Sequence, residues 1–194
     1  PRAGLIHRLD KDTSGLLMIA RTLEAHTQLV RALEARQIAR EYRAVCLGRL
    51  TAGGMVDEPI GRHPTQRTKM SVHHSGKPAV THYRVLQRFD NFTFIACRLE
   101  SGRTHQIRVH LAHRKHPLVG DPLYSGRLVL PAGSSEALQL LLRGFKRQAL
   151  HASRLAFAHP ITGAPIELQS DLPDDFQALL QLLLAMEKVT PPST

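Results

Sequence analysis

The 194 residues carry 26 lysines and arginines against 16 aspartates and glutamates, a net charge of +10, with 42% apolar residues and two cysteines. That apolar share supports one sizeable core, and so few cysteines exclude a disulfide-built secreted scaffold. The charge is uneven: residues 164–194 carry −4 and residues 1–163 carry +14, so the basic body points to a polyanionic partner, a merely solvated cationic surface being the bland alternative. Cys46 and Cys97 each lie in an alternating apolar stretch and are expected to be reduced and buried. No leader, lipidation motif or long apolar run is evident, and the densest leucine segment, residues 176–186, is interrupted by Gln177 and Gln181. A soluble, cytoplasmic protein away from the membrane is expected.

Residues 7–17 read H-R-L-D-K-D-T-S-G-L-L. This places the Asp10 carboxylate at a loop edge beside cationic groups, although any turn or helix start uses the same residue types. Thr22 is positioned to cap a helix on which His26, Leu29, Val30 and Leu33 recur at helical spacing. Residues 41–47, 56–60, 68–72, 79–89 and 92–99 read as strands, the last two joined in a hairpin at Asp90-Asn91. Residues 100–103 should turn the chain. Thr104 then caps a short helix with Ile107 and Leu111 on its buried face and Arg108 near the strand-to-helix corner.

Ser134 or Ser135 opens another helix through Leu142, and residues 147–157 form a late strand. The turn at 159–163 leads to a short return strand at 166–168. Asp171 or Asp174 starts the terminal helix, and Thr190-Pro191-Pro192 ends the ordered chain. Strands following one another through short turns predict an α+β single domain with a mixed, largely antiparallel sheet flanked by helices.

The string at 7–17 closely resembles the H-R-L-D-x-x-T-S-G-L signature of the RluA/RluD family of pseudouridine synthases. The likeness continues through R-E-Y-R-A-V at 40–45, G-K-P-A-V-T-H-Y at 76–83, G-R-T-H-Q-I-R-V-H at 102–110, H-P-L-V-G-D-P-L-Y at 116–124 and R-Q-A-L-H-A at 147–152. Six ordered blocks lie beyond chance. The resemblance implies the pseudouridine synthase fold and an isomerase that breaks the N1 to C1′ bond of uridine, turns the base and joins C5 to the same carbon. Atoms and electrons are unchanged overall, so neither a redox cofactor nor ATP is expected.

By the same resemblance Asp10 is the catalytic acid, as covalent nucleophile or as stabiliser of positive charge at C1′. Arg108 pairs with it, Tyr42 stacks on the uracil with a further implied part in removing the C5 proton, and Leu150 forms an apolar wall. Arg8 reaches toward the place vacated by a flipped base, where a planar guanidinium stacks and hydrogen-bonds. On the residues alone, Arg108 would be an ordinary ion pair or a phosphate contact, Tyr42 would as readily be a buried core tyrosine, and Leu150 would be core.

Arg103, Arg62, Arg67, Lys69 and Lys77 are read as phosphate contacts that position RNA without reading its sequence. His105, His110, His113 and His116 lie close in sequence without a cysteine or acid among them, so zinc is disfavoured. His105 and His110 are read as structural or RNA-facing polar groups. Family members carry more catalytic-domain sequence before H-R-L-D, and many carry an amino-terminal S4-like RNA-binding domain. Only six residues precede His7 here, so residues 1–194 are expected to be a catalytic domain lacking its N-terminal part, monomeric despite an exposed sheet edge that invites self-association.

The blocks at 50–60 and 62–70 favour the branch acting on large-subunit ribosomal RNA. The implied target is the helix 69 stem-loop of 23S RNA, with no DNA or membrane partner expected. The rivals are a non-catalytic RNA-binding remnant of the scaffold, a family synthase with another RNA target and, more distantly, a hydrolase pairing Asp10 with a histidine. The joint presence of Asp10, Tyr42 and Arg108 favours the enzyme over the remnant.

Overall fold

The computed structural model, in which residues 4–187 are described, runs β1 (Ser14–Gly15), α1 (Leu23–Glu34), β2 (Ala39–Leu47), β3 (Gly54–Asp57), β4 (Ile60–Arg62), β5 (Met70–Val72), β6 (Val80–Arg88) and β7 (Phe92–Leu99). It continues with α2 (Gln106–His113), α3 (Glu136–Gly144), β8 (Leu150–Ala158), β9 (Pro165–Gln169) and α4 (Asp174–Glu187). The large sheet has the order β1-β8-β2-β7-β6-β3, with β9 also paired to β8, while β4 and β5 form a separate hairpin. Every pairing between these strands is antiparallel except β1 with β8. The expected α+β architecture with a mixed, largely antiparallel sheet is the observed one.

Central strand β2 alternates over its first half, with Arg40 and Tyr42 buried between more open neighbours, and is buried on both faces at Ala44, Val45 and Cys46. Tyr42, Ala44 and Cys46 join Ile107 and Leu111 of α2 in one core, and Val45 joins Leu138 and Leu142 of α3 and Phe176, Leu179 and Leu183 of α4 in another. The helices thus cover opposite faces of the sheet. Helix α1 closes a third cluster, packing Leu29 against Ile38 and Leu155. Thr22 caps it, its hydroxyl accepting from Ala25 N–H, and Ser135 does the same for α3. Among the described residues no helix is long and apolar enough to cross a membrane.

Several boundaries differ from expectation. The strand expected at 56–60 is two strands, because Glu58-Pro59 interrupts the run before the chain enters the β4–β5 hairpin; proline cannot donate to a ladder. The strand expected at 68–72 is confined to Met70–Val72, and the late strand begins at Leu150 rather than at 147. Thr104 does not cap α2: the cap position is His105, in the left-handed conformation at φ 57° and without a side-chain cap bond. The Thr104 hydroxyl accepts from Arg8 instead. Of the two acids offered for the terminal helix, Asp174 opens it. The expected end of order at Thr190-Pro191-Pro192 lies outside the described residues.

Candidate active site

Asp10 precedes a turn closed by a 3.0 Å bond from Thr13 N–H to the Asp10 carbonyl, with Asp12 in the left-handed region at φ 67°. The turn is held from beneath. Gln148, buried, donates from Nε2 to the Lys11 carbonyl at 2.7 Å and to the Thr13 hydroxyl at 2.8 Å. Arg147, anchored by two 2.6 Å bonds to Asp175 of α4, donates to the Asp12 carbonyl at 3.4 Å. Beyond the turn, Gly15 has φ 103°, and a Cβ there would stand 2.2 Å from the Ala152 carbonyl oxygen. Only glycine allows β1 to lie against β8 and so fixes where Asp10 points.

Opposite stands Arg108 of α2, 3% exposed. Its Nε and one terminal nitrogen grip Asp121 at 2.7 and 2.9 Å, and the other terminal nitrogen points to Asp10 Oδ2 at 3.3 Å. Burial works against the Arg108 charge, but the Asp121 and Asp10 carboxylates more than offset it and hold the guanidinium above its ordinary value. Asp121 is itself saturated by the N–H groups of Leu123 and Tyr124. The Tyr124 ring lies under the guanidinium, 5.1 Å from its carbon. Its hydroxyl accepts from Met70 N–H and shares a 2.8 Å bond with His105 Nδ1, tying the β4–β5 hairpin to this corner.

Asp10, Arg8, Tyr42, Leu150 and Arg103 all line one cleft of about 750 Å³. Tyr42 is buried, and burial, opposed by Arg40 and aided by Asp10, raises its phenol, which stays neutral. Leu150 packs with Ile107 and the half-buried Leu9. Arg8 reaches across the mouth to Thr104 at 3.0 Å, and Arg103 donates to the Pro78 carbonyl at 3.0 Å. A buried amide supports this wall. Gln106 accepts from Ser101 Oγ and Arg103 N–H and donates to the Val80 carbonyl and the Thr81 hydroxyl.

The remaining residues expected to contact RNA fall elsewhere. Arg62, Arg67 and Lys77 are exposed and Lys69 half-buried, on or around the β4–β5 hairpin and outside the cleft. His105 sits beside Arg108, its imidazole lowered by burial more than its charged neighbours adjust it. His110 is structural: its Nε2 donates to the Glu58 carbonyl and its Nδ1 accepts from Thr81, both at 2.9 Å. His116 is committed to the Leu47 carbonyl. Among the described residues no three histidine, cysteine or acidic side chains converge as a metal site would require.

Asp121 and Gln148 received no role from the sequence, although both lie in quoted blocks. A signal was present for Asp121, which is the sole acid between Glu100 and Glu136 in a strongly basic stretch. A buried arginine in that stretch has few other places to find its counter-charge.

A carboxylate facing a doubly held guanidinium, beside a buried tyrosine and a leucine wall, is the kind of site that stabilises or attacks an electron-poor carbon. Residues 1–113 match the family of RNA pseudouridylate synthases, and the chain belongs to that family. Over 185 residues it is 59% identical to the ribosomal large subunit pseudouridine synthase D of Pasteurella multocida (strain Pm70) and 57% identical to that of Escherichia coli (strain K12); each alignment covers 95% of this chain and 57% of the relative. The chain thus spans a little over half the length of these curated relatives. The fold is shared with human RNA pseudouridylate synthase domain containing 4, at TM-score 0.76 and 27% identity over 93% of this chain and 75% of that one. The human domain containing 1 superposes at TM-score 0.70, also at 27% identity, over 98% and 82% of the two chains.

Proposed function

We propose that this chain carries the catalytic centre of an RNA pseudouridine synthase that acts on large-subunit ribosomal RNA. The observation that carries the reading is Asp10 in the lining of an arginine-rich cleft, faced from behind by Arg108, which Asp121 holds in place. High identity to synthases named for the ribosomal large subunit supports the substrate class.

The target uridine leaves its stack and enters the cleft, where Tyr42 and Leu150 offer an aromatic and an apolar surface to the ring. Arg8, at the mouth, exchanges its Thr104 bond for contacts with the vacated RNA position. Asp10 either attacks C1′ as the N1 to C1′ bond breaks, forming a covalent ester, or stabilises the positive charge left on the sugar. Arg108 keeps the carboxylate aimed without consuming it, being held by Asp121 from the other side. The detached uracil turns and C5 bonds to C1′, expelling the Asp10 carboxylate where the ester had formed; the C5 proton leaves and N1 gains one, so the product is an isomer and Asp10 is regenerated. Arg103 and the cations of the hairpin, Arg62, Arg67, Lys69 and Lys77, contact phosphates, with His105 at the same wall.

Helix 69 of 23S RNA is the favoured target. The test is carbodiimide primer-extension mapping of large-subunit RNA after incubation with the chain. Stops confined to uridines of that stem-loop support the reading, stops elsewhere reassign the target, and an unmodified RNA with a folded chain favours the RNA-binding remnant.

A further inference from the structure

Arg40 stands apart from the other arginines of the cleft. It lies on β2 two residues before Tyr42 and on the same face, is 5% exposed, and lines the cleft that holds Asp10. One terminal nitrogen donates to the Ser101 carbonyl at 3.2 Å, and Nε has no hydrogen-bond partner. No ion pair among the described residues includes it, whereas neighbouring Arg36 is engaged by Glu100 and Arg108 by two aspartates. Burial pulls its guanidinium below the ordinary value, and its charge adds to the burial that keeps His7 neutral beside it.

Gly102, exposed at the rim, closes over this side chain. A Cβ there would stand 2.8 Å from an Arg40 terminal nitrogen. The backbone of Gly102 is not in the left-handed region, so the local turn does not itself require glycine.

A buried cation without a carboxylate is unfavourable to the fold. Nε is sealed from solvent in this arrangement; a carbonyl oxygen would leave the charge uncompensated, whereas a phosphate seated in the cleft supplies the counter-charge and, once the side chain turns to open Nε, the missing acceptor, with oxygens spaced for the planar fork. We propose that Arg40 is an anion subsite that takes one backbone phosphate next to the uridine held in the cleft. The proposal rests on the RNA-modifying reading above and extends it to a contact inside the cleft.

The test is a stem-loop RNA carrying single neutral methylphosphonates on either side of each loop uridine, bound by the parent chain and by Arg40→Gln. At one position the parent should lose on the order of tenfold in Kd, the size expected for one charged hydrogen bond. Arg40→Gln should bind unmodified RNA more weakly by a similar factor, with a log K against log salt slope smaller by about one. The two losses should not add, and the variant should unfold no lower in temperature than the parent. Losses that add at every position overturn the assignment, as does a parent indifferent to all methylphosphonates, a result that needs no variant. Stabilisation of the parent alone by inorganic phosphate, without any methylphosphonate effect, overturns it in favour of a free anion.

Filter retention reads binding without turnover, and pseudouridine measured in the same reactions reports separately on the enzyme. Product with additive losses removes only the Arg40 assignment. Coupled losses without product remove only the isomerase reading.

Discussion

Arg108 answers to two carboxylates with opposite duties, and the difference lies in their burial. The Asp121 side chain is fully buried and makes both short bonds; the Asp10 side chain is 12% exposed and makes one long bond. Asp121 therefore fixes the guanidinium, and in the proposed mechanism Asp10 keeps one oxygen for substrate. Asp121→Asn should lower kcat by on the order of a hundredfold, as small misplacements at a reacting centre do, while KM for RNA holds within a few-fold. Steady-state kinetics, run on variant protein whose folded state is checked by circular dichroism, separate the two parameters. At the same scale, burial pushes the Cys46 thiol up to about 12 and raises Cys97 as well, so neither should react with a disulfide reagent in the native protein and both should in denaturant. The cysteines were legible because they sit in alternating apolar strands. The part played by Asp121 was not, because an arginine and an acid thirteen residues apart meet only after α2 and the following loop have packed.

Element boundaries were readable where a single local rule decided them. Thr22 and Ser135 cap their helices, and the β6–β7 hairpin turns at Asp90-Asn91. Reading failed where tertiary partners competed for the same group. Thr104 had a cap's chemistry, but Arg8 from the other end of the chain holds its hydroxyl, and α2 starts from a left-handed His105 instead. Strand β1 was invisible because two residues carry no periodicity; its parallel pairing depends on β8, more than 130 residues later. That pairing gives a test at this scale. Gly15→Ala drives a methyl group into the Ala152 carbonyl at a positive φ, which should destabilise the fold by about 1–3 kcal/mol. The shift of the turn should also reduce turnover more than stability alone explains, as urea unfolding and kinetics on the same preparation would reveal. On the far face, Leu179→Ala, fully buried in α4, should cost about 2–5 kcal/mol with kcat unchanged once folded.

The whole molecule assembles its site from segments that are distant in sequence, with the turn at 10–13, strands β2 and β8 and helix α2 converging on one cleft. Short motifs disclosed those segments, because each carries its chemistry locally; which cations enter the cleft and which remain on the β4–β5 hairpin required the fold. The same packing sets the response to acid. His7, His105, His110 and His151 are all held below the ordinary imidazole value of 6.5, burial being the leading cause in each. The unfolded chain accepts protons at these positions as the pH falls past 6.5, while the folded chain resists them, so their contribution is complete above 6.5 and is lost progressively below it. The lowered carboxylates of Glu100, Glu167 and Asp175 act below their ordinary values of 4.5, 4.5 and 3.8, outside that range. The urea midpoint should therefore fall between about pH 7.5 and about pH 5.5, and an unchanged midpoint would contradict the neutral, buried histidines.

The most direct test of the central claim is release of tritium from RNA labelled at C5 of uridine, compared between the parent chain and Asp10→Asn. C5 gives up its hydrogen only when it becomes the glycosidic carbon, so the parent should release one tritium for each pseudouridine formed. Asp10→Asn should release none while binding the RNA within a few-fold of the parent, since a single carboxylate is lost from a cationic face. Turnover by Asp10→Asn within about tenfold of the parent, a barrier change of only about 1.4 kcal/mol, would contradict the assignment of Asp10 as the catalytic acid.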